Sequence, residues 1–179
     1  WWGAAMQYGH FDNEKREYVI DRVDTPVSWT NYIGQKDLYG VFNQTAGGYV
    51  LCGSSEYHRI TRFRPNGVPM DGPGHYIYIR DDETGEYWTV SWQPVGKDRA
   101  KYACRHGLGY VRYLSDYADI HAEQTLFAAI DDPVEIWDVC LRNDSGRARR
   151  LSVYSYAEFS FHQVDMDMTR SAARRSSGK

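Results

Sequence analysis

Apolar and polar side chains alternate with a period of two through most of this chain, and that leaves few folds open, because the period belongs to a strand with one buried face and to no helix. In Leu151 to Phe161 (LSVYSYAEFSF) one face carries Leu151, Val153, Ala157, Phe159 and Phe161, and the other carries Ser152, Tyr154, Tyr156, Glu158 and Ser160. The pattern predicts one long half-buried strand. Val134 to Leu141 (VEIWDVCL) and His75 to Arg80 (HYIYIR) read the same way and are rich in the β-branched and aromatic residues that suit strands. Asp81 to Gly85 (DDETG) lies between HYIYIR and EYWTVSW, and Asn143 to Gly146 (NDSG) between VEIWDVCL and LSVYSY, so each is expected to close a hairpin. Without a convincing helical stripe in any window of about 12 residues, the fold class is all-β, an antiparallel β-sandwich.

A chain of 179 residues supports about one domain with its own core. Its formal charge of -3 argues against a nucleic-acid partner, and the lack of any run of about 18 apolar residues argues against a membrane span. Cys52, Cys104 and Cys140 are odd in number and far apart, which fits neither a disulfide framework nor a zinc site; they are expected to be buried reduced thiols in a cytoplasmic protein. The ends differ from the middle. Residues 1–5 (WWGAA) precede Met6 and have no signal-peptide character, and residues 168–179 (MTRSAARRSSGK) are basic and nearly devoid of apolar side chains, as in a disordered tail. The remaining span, 6–167, is the expected domain.

No nucleophile elbow, phosphate loop or zinc motif occurs, so no catalytic residue, metal site or cofactor is expected. HGLGY (His106 to Tyr110) opens no helix and reads as a tight turn or bulge. Six Trp and fifteen Tyr are an excess of rings with polar tips, which suits sugar contact as well as core filling.

The ordered blocks MQYGHFDNEKREYVIDRVDTPVSWTNYIG, TAGGYVLC, RITRFRPNGVPMDGPGHYIYIRD, WTVSWQPV and RHGLGY resemble the N-terminal β-sandwich domain of the cellobiose phosphorylases of glycoside hydrolase family 94. The resemblance covers about Met6 to Asp167. It implies a supersandwich of the galactose mutarotase-like kind, followed in the family by a helical linker and an α/α barrel that holds the catalytic aspartate. It also implies an inverting reaction, cellobiose plus phosphate giving glucose 1-phosphate plus glucose. The partners implied are a β-linked disaccharide and inorganic phosphate in the parent enzyme, the C-terminal barrel missing here, and a second subunit in a homodimer. After FSFHQVDMD the sequence departs from the family, so the sandwich is expected to be truncated at its C-terminal end, with an exposed edge.

On that reading the chain is a non-catalytic domain that binds carbohydrate or supports dimerisation; a free-standing lectin-like module and an open reading frame without function are the alternatives. Two stretches are candidates for a sugar site or a domain seam. In RFRPNGVPMDGPG three prolines fix φ and three glycines permit sharp bends, a stiff loop fit to hold Arg62, Arg64, Asn66 and Asp71 in place or to act only as a connector. In QTAGGY the paired glycines allow close backbone approach around Thr45, Gly47, Gly48 and Tyr49, or make an ordinary turn.

Overall fold

The computed structural model describes residues 7–62, 73–98 and 100–160. The expected leader 1–5, the basic tail 168–179 and most of the stiff loop lie outside the described residues. Every element among the described residues is a strand. They are β1 (Gly9–Asp12), β2 (Glu17–Ile20), β3 (Thr30–Gln35), β4 (Leu38–Asn43), β5 (Gly48–Cys52), β6 (Tyr76–Asp81), β7 (Tyr87–Thr89), β8 (Lys101–His106), β9 (Tyr110–Tyr117), β10 (Ile120–Ala128), β11 (Glu135–Asn143) and β12 (Leu151–Tyr156).

A six-stranded sheet runs in the order β1-β2-β8-β9-β10-β11, and two three-stranded sheets run β12-β6-β7 and β3-β4-β5. All pairings are antiparallel. Alternation explains the packing: β10 buries Ile120, Ala122, Gln124, Leu126 and Ala128 and leaves the residues between them half-exposed. Ile20, Val111 and Leu126 of the large sheet meet Ile77, Ile79 and Trp88 of the second and Ile33, Phe42 and Val50 of the third in one cluster. Burying each such side chain contributes about 1.5–3 kcal/mol. The sandwich is therefore one large sheet closed by two small ones.

Asp81 to Gly85 does close a hairpin, between β6 and β7: Asp81 Oδ1 accepts from the Glu83 and Thr84 amides (2.8 and 3.4 Å), and Gly85 has φ +76°. The HGLGY turn joins β8 to β9, with Gly109 at φ +90°.

Three expectations fail. Asn143 to Gly146 is a tight turn, with Asn143 Oδ1 accepting from the Ser145 amide (3.0 Å), but it is not a hairpin: β11 pairs with β10, whereas β12 crosses to the other side of the sandwich and pairs with β6. Arg149 fixes that crossing by donating to Asp81 Oδ2 (2.6 Å) and to the Ala118 carbonyl (2.8 Å). The long strand 151–161 stops at Tyr156, and the chain then runs beside residues 60–62, the Arg62 amide donating to the Glu158 carbonyl (2.8 Å) and the Ser160 amide to the Ile60 carbonyl (2.9 Å). The change of partner resets the alternation beyond β12, so Phe159 (58%) is exposed and Ser160 is buried, while Val153 (44%) is exposed within β12 itself; Phe161 lies outside the described residues. Finally, Cys104 is buried, but Cys52 is half-buried and Cys140 exposed on β11; all three are free thiols.

Candidate functional site

The two stretches singled out in the sequence converge. Asn43 to Gly48 forms the β4–β5 turn, and its residues are buried. Asn43 holds it from inside, its Oδ1 accepting from the Thr45 amide (3.0 Å), the Thr45 hydroxyl (3.2 Å) and the Gly47 amide (2.8 Å). Tyr113 of the large sheet donates its hydroxyl to the Asn43 carbonyl (2.9 Å). Ala46 takes φ +67°. The far end of the stiff loop lands on this turn: the Gly48 amide donates to the Pro73 carbonyl (3.4 Å), the His75 amide to the Ala46 carbonyl (3.0 Å), and Gly47 bridges Gly74. Close approach is the reason for glycine at position 74, where a Cβ would lie 2.3 Å from the Ala46 oxygen. Thr45, Gly47 and Gly48 are thus packing and backbone positions, sealed from solvent. Tyr49 is half-buried, with the Arg59 guanidinium 4.3 Å over its ring.

The near end of the loop begins at Arg62, whose Nη1 lies 3.3 Å from Glu158 Oε2; both side chains are about one-third exposed. Tyr156 donates its hydroxyl to Glu158 Oε1 (2.6 Å), and that bond, with partial burial, pushes its phenol up to about 12. Arg64, Asn66 and Asp71 lie outside the described residues.

His75 joins the two ends and was not singled out in the sequence. Its ring is 1% exposed, Nδ1 faces Glu135 Oε1 of β11 at 2.8 Å, and Nε2 faces Thr61 Oγ1 at 3.2 Å. Thr61 Oγ1 accepts from the Val50 amide (2.8 Å), so one proton arrangement satisfies every atom: Thr61 donates to Nε2 and Nδ1 donates to the carboxylate. The imidazole stacks on Trp137 of β11 (centroids 4.9 Å apart, 29° between planes) and packs against Phe42 (4.8 Å). Residues before the loop, after it, and on the edge strand β11 are thereby tied to one buried ring. No local motif announces this, since His75 and Glu135 are 60 positions apart; the sole signal was a histidine beginning an apolar strand.

Beside the triad opens a groove of about 630 Å³ between β11 and β12, walled by Val50, Ile60, Pro133, Trp137 and Phe159, with Thr61, Glu135 and Ser155 as its polar groups. Among the described residues no group of three His, Cys, Asp or Glu side chains is placed to hold a metal. No helix there is long and apolar enough to cross a membrane.

Residues 16–178 match the family model described as glycosyl hydrolase 94, supersandwich domain. The chain is 50% identical over 164 residues to an N,N'-diacetylchitobiose phosphorylase of Vibrio proteolyticus, a match that covers 90% of this chain and 20% of that protein. It is 38% identical to a solabiose phosphorylase of Paenibacillus borealis (86% of this chain, 20% of that protein) and 32% identical to a 3-O-beta-D-glucopyranosyl-beta-D-glucuronide phosphorylase of the same organism (83% and 18%). The chain thus spans about a fifth of the length of these relatives. With twelve antiparallel strands around one core among the described residues and a family match over residues 16–178, the chain belongs to the glycosyl hydrolase 94 supersandwich family.

Proposed function

We propose that this chain is the sandwich portion of a disaccharide phosphorylase and that it supports the reaction without catalysing it. The observation that carries the reading is the 50% identity over nine-tenths of the chain to enzymes named for N,N'-diacetylchitobiose. That disaccharide, rather than cellobiose, is the substrate we assign to the longer protein. In such a reaction phosphate attacks the anomeric carbon, the glycosidic C–O bond breaks, and the leaving oxygen takes a proton from a carboxylic acid.

Such an acid must be held above the ordinary carboxylate range. The described carboxyls with a resolved shift all move the other way. Salt bridges and hydrogen bonds lower Asp12, Asp24, Asp81, Glu86 and Asp144, and Glu17 is lowered too, because Tyr110 and Arg105 outweigh its burial. None of these six anions is that acid, and because the chain spans only about a fifth of its relatives we assign the acid to a part of the enzyme beyond this domain. The base of the stiff loop, from Arg62 to His75, is the seam at which we place the sandwich against that part.

The test is a chimaera in which residues 16–160 of this chain replace the matching segment of the Vibrio proteolyticus enzyme. Phosphate-dependent cleavage of N,N'-diacetylchitobiose within about tenfold of the natural enzyme is expected, since the two chains are 50% identical over 164 residues. A folded chimaera that binds the disaccharide but releases no sugar phosphate would overturn the reading.

A further inference from the structure

We infer that the groove between β11 and β12 is a binding site for a neutral β-linked pyranoside, distinct from the bond-breaking centre assigned to the rest of the enzyme. The inference deepens the proposed function and rests on it for the class of sugar. Its walls carry two groups whose hydrogen-bonding capacity is unspent. Glu135 is held by His75 through Oε1, while Oε2 has no partner among the described residues. Ser155, exposed on β12, likewise has no hydrogen-bond partner there for its hydroxyl. Trp137 lines the same groove, its ring stacked on the His75 imidazole.

This arrangement matches what a pyranose ring presents: an apolar C–H face for an aromatic wall and hydroxyls that donate to a fixed carboxylate. At about 630 Å³ the groove has the size of a small-molecule site and room for two sugar rings. A cation would gain from Glu135 too, but the apolar wall favours a ligand with an uncharged body. The imidazole behind both Glu135 and Trp137 fixes their orientation, so little ordering remains to oppose binding.

The experiment titrates N,N'-diacetylchitobiose, and separately cellobiose, into the 179-residue chain without phosphate, following the Trp137 indole N–H by heteronuclear NMR. Saturable shifts at that signal with a dissociation constant in the millimolar range are expected, about −4 kcal/mol as a binding free energy. Ser155→Arg fills the mouth from an exposed edge position and should weaken binding at least about tenfold with the thermal midpoint unchanged; Glu135→Gln, which keeps the shape, should weaken it about fivefold. No saturable shift at about 20 mM sugar, well above that range, or binding that Ser155→Arg leaves intact, overturns the inference. Neither result touches the phosphorolysis measured in the chimaera, so the two claims fail separately.

Discussion

Gly48 and Gly85 show how differently one residue type is constrained at two turns. At Gly48 (φ +156°) a Cβ would lie 2.0 Å from the Val41 oxygen, inside the buried turn. At Gly85 (φ +76°) it would meet nothing within 4 Å. Gly48→Ala is therefore expected to cost more than about 3 kcal/mol in urea unfolding, and Gly85→Ala only the left-handed penalty of about 1–2 kcal/mol; equal costs would show that the buried turn yields. His106 carries a second prediction. Burial without a partner for Nε2 pulls its imidazole down to about 4, against about 6.5 when unfolded. As pH falls through 6.5 the unfolded chain takes up the proton first, so stability is complete above about 6.5 and declines toward 4 by something like 2–3 kcal/mol. His106→Phe should flatten the thermal midpoint between about pH 7 and 4.5. His121 runs the other way: hydrogen bonds to Glu123 and Asp116 raise it, so its contribution is present below its unfolded value and lost as pH rises through the folded one. A His106→Phe variant as acid-sensitive as the parent would put the loss elsewhere.

Among the elements, β10 and β12 mark the limits of reading strands from pattern. Strand β10 is paired on both sides and shows clean alternation. Strand β12 has the same alternation in its residues, yet among the described residues it pairs only with β6, and Val153, Tyr154 and Tyr156 are exposed. Side-chain period shows which face an element has available to bury; a facing layer decides whether that face is covered. An apolar edge strand with free N–H and C=O groups is a template for association. The 179-residue chain is thus expected to self-associate as concentration rises, and Val153→Lys to suppress this in sedimentation velocity without lowering the thermal midpoint. Association unchanged by the lysine would move the sticky surface away from β12. Turn chemistry was legible in the same partial way. DDETG closed the hairpin and HGLGY made the tight turn that their residues suggest, whereas NDSG formed its turn and led the chain to another sheet, because Arg149 anchors it to Asp81 and Ala118.

At the scale of the whole molecule, the chain spans about a fifth of its phosphorylase relatives and the acid is assigned to the rest of the enzyme, so the chain by itself should release no sugar 1-phosphate from N,N'-diacetylchitobiose or cellobiose with phosphate. Turnover above the buffer blank would require a proton donor within these 179 residues. The sequence alone determined the all-β class, the sandwich, the family resemblance and the tight turns, because period and turn residues are local properties that survive without knowledge of partners. It also marked the loop base, at Arg62 and at the TAGG turn, though not what they do there. The meeting of His75, Thr61, Glu135 and Trp137, the sealing of Thr45 and Gly47, and the groove beside them came from packing. His75 stands 14 positions from Thr61 and 60 from Glu135, and the sheets must close on one core before the three meet. A histidine read in its strand is only a polar residue at an apolar position; the carboxylate that satisfies it arrives from another sheet.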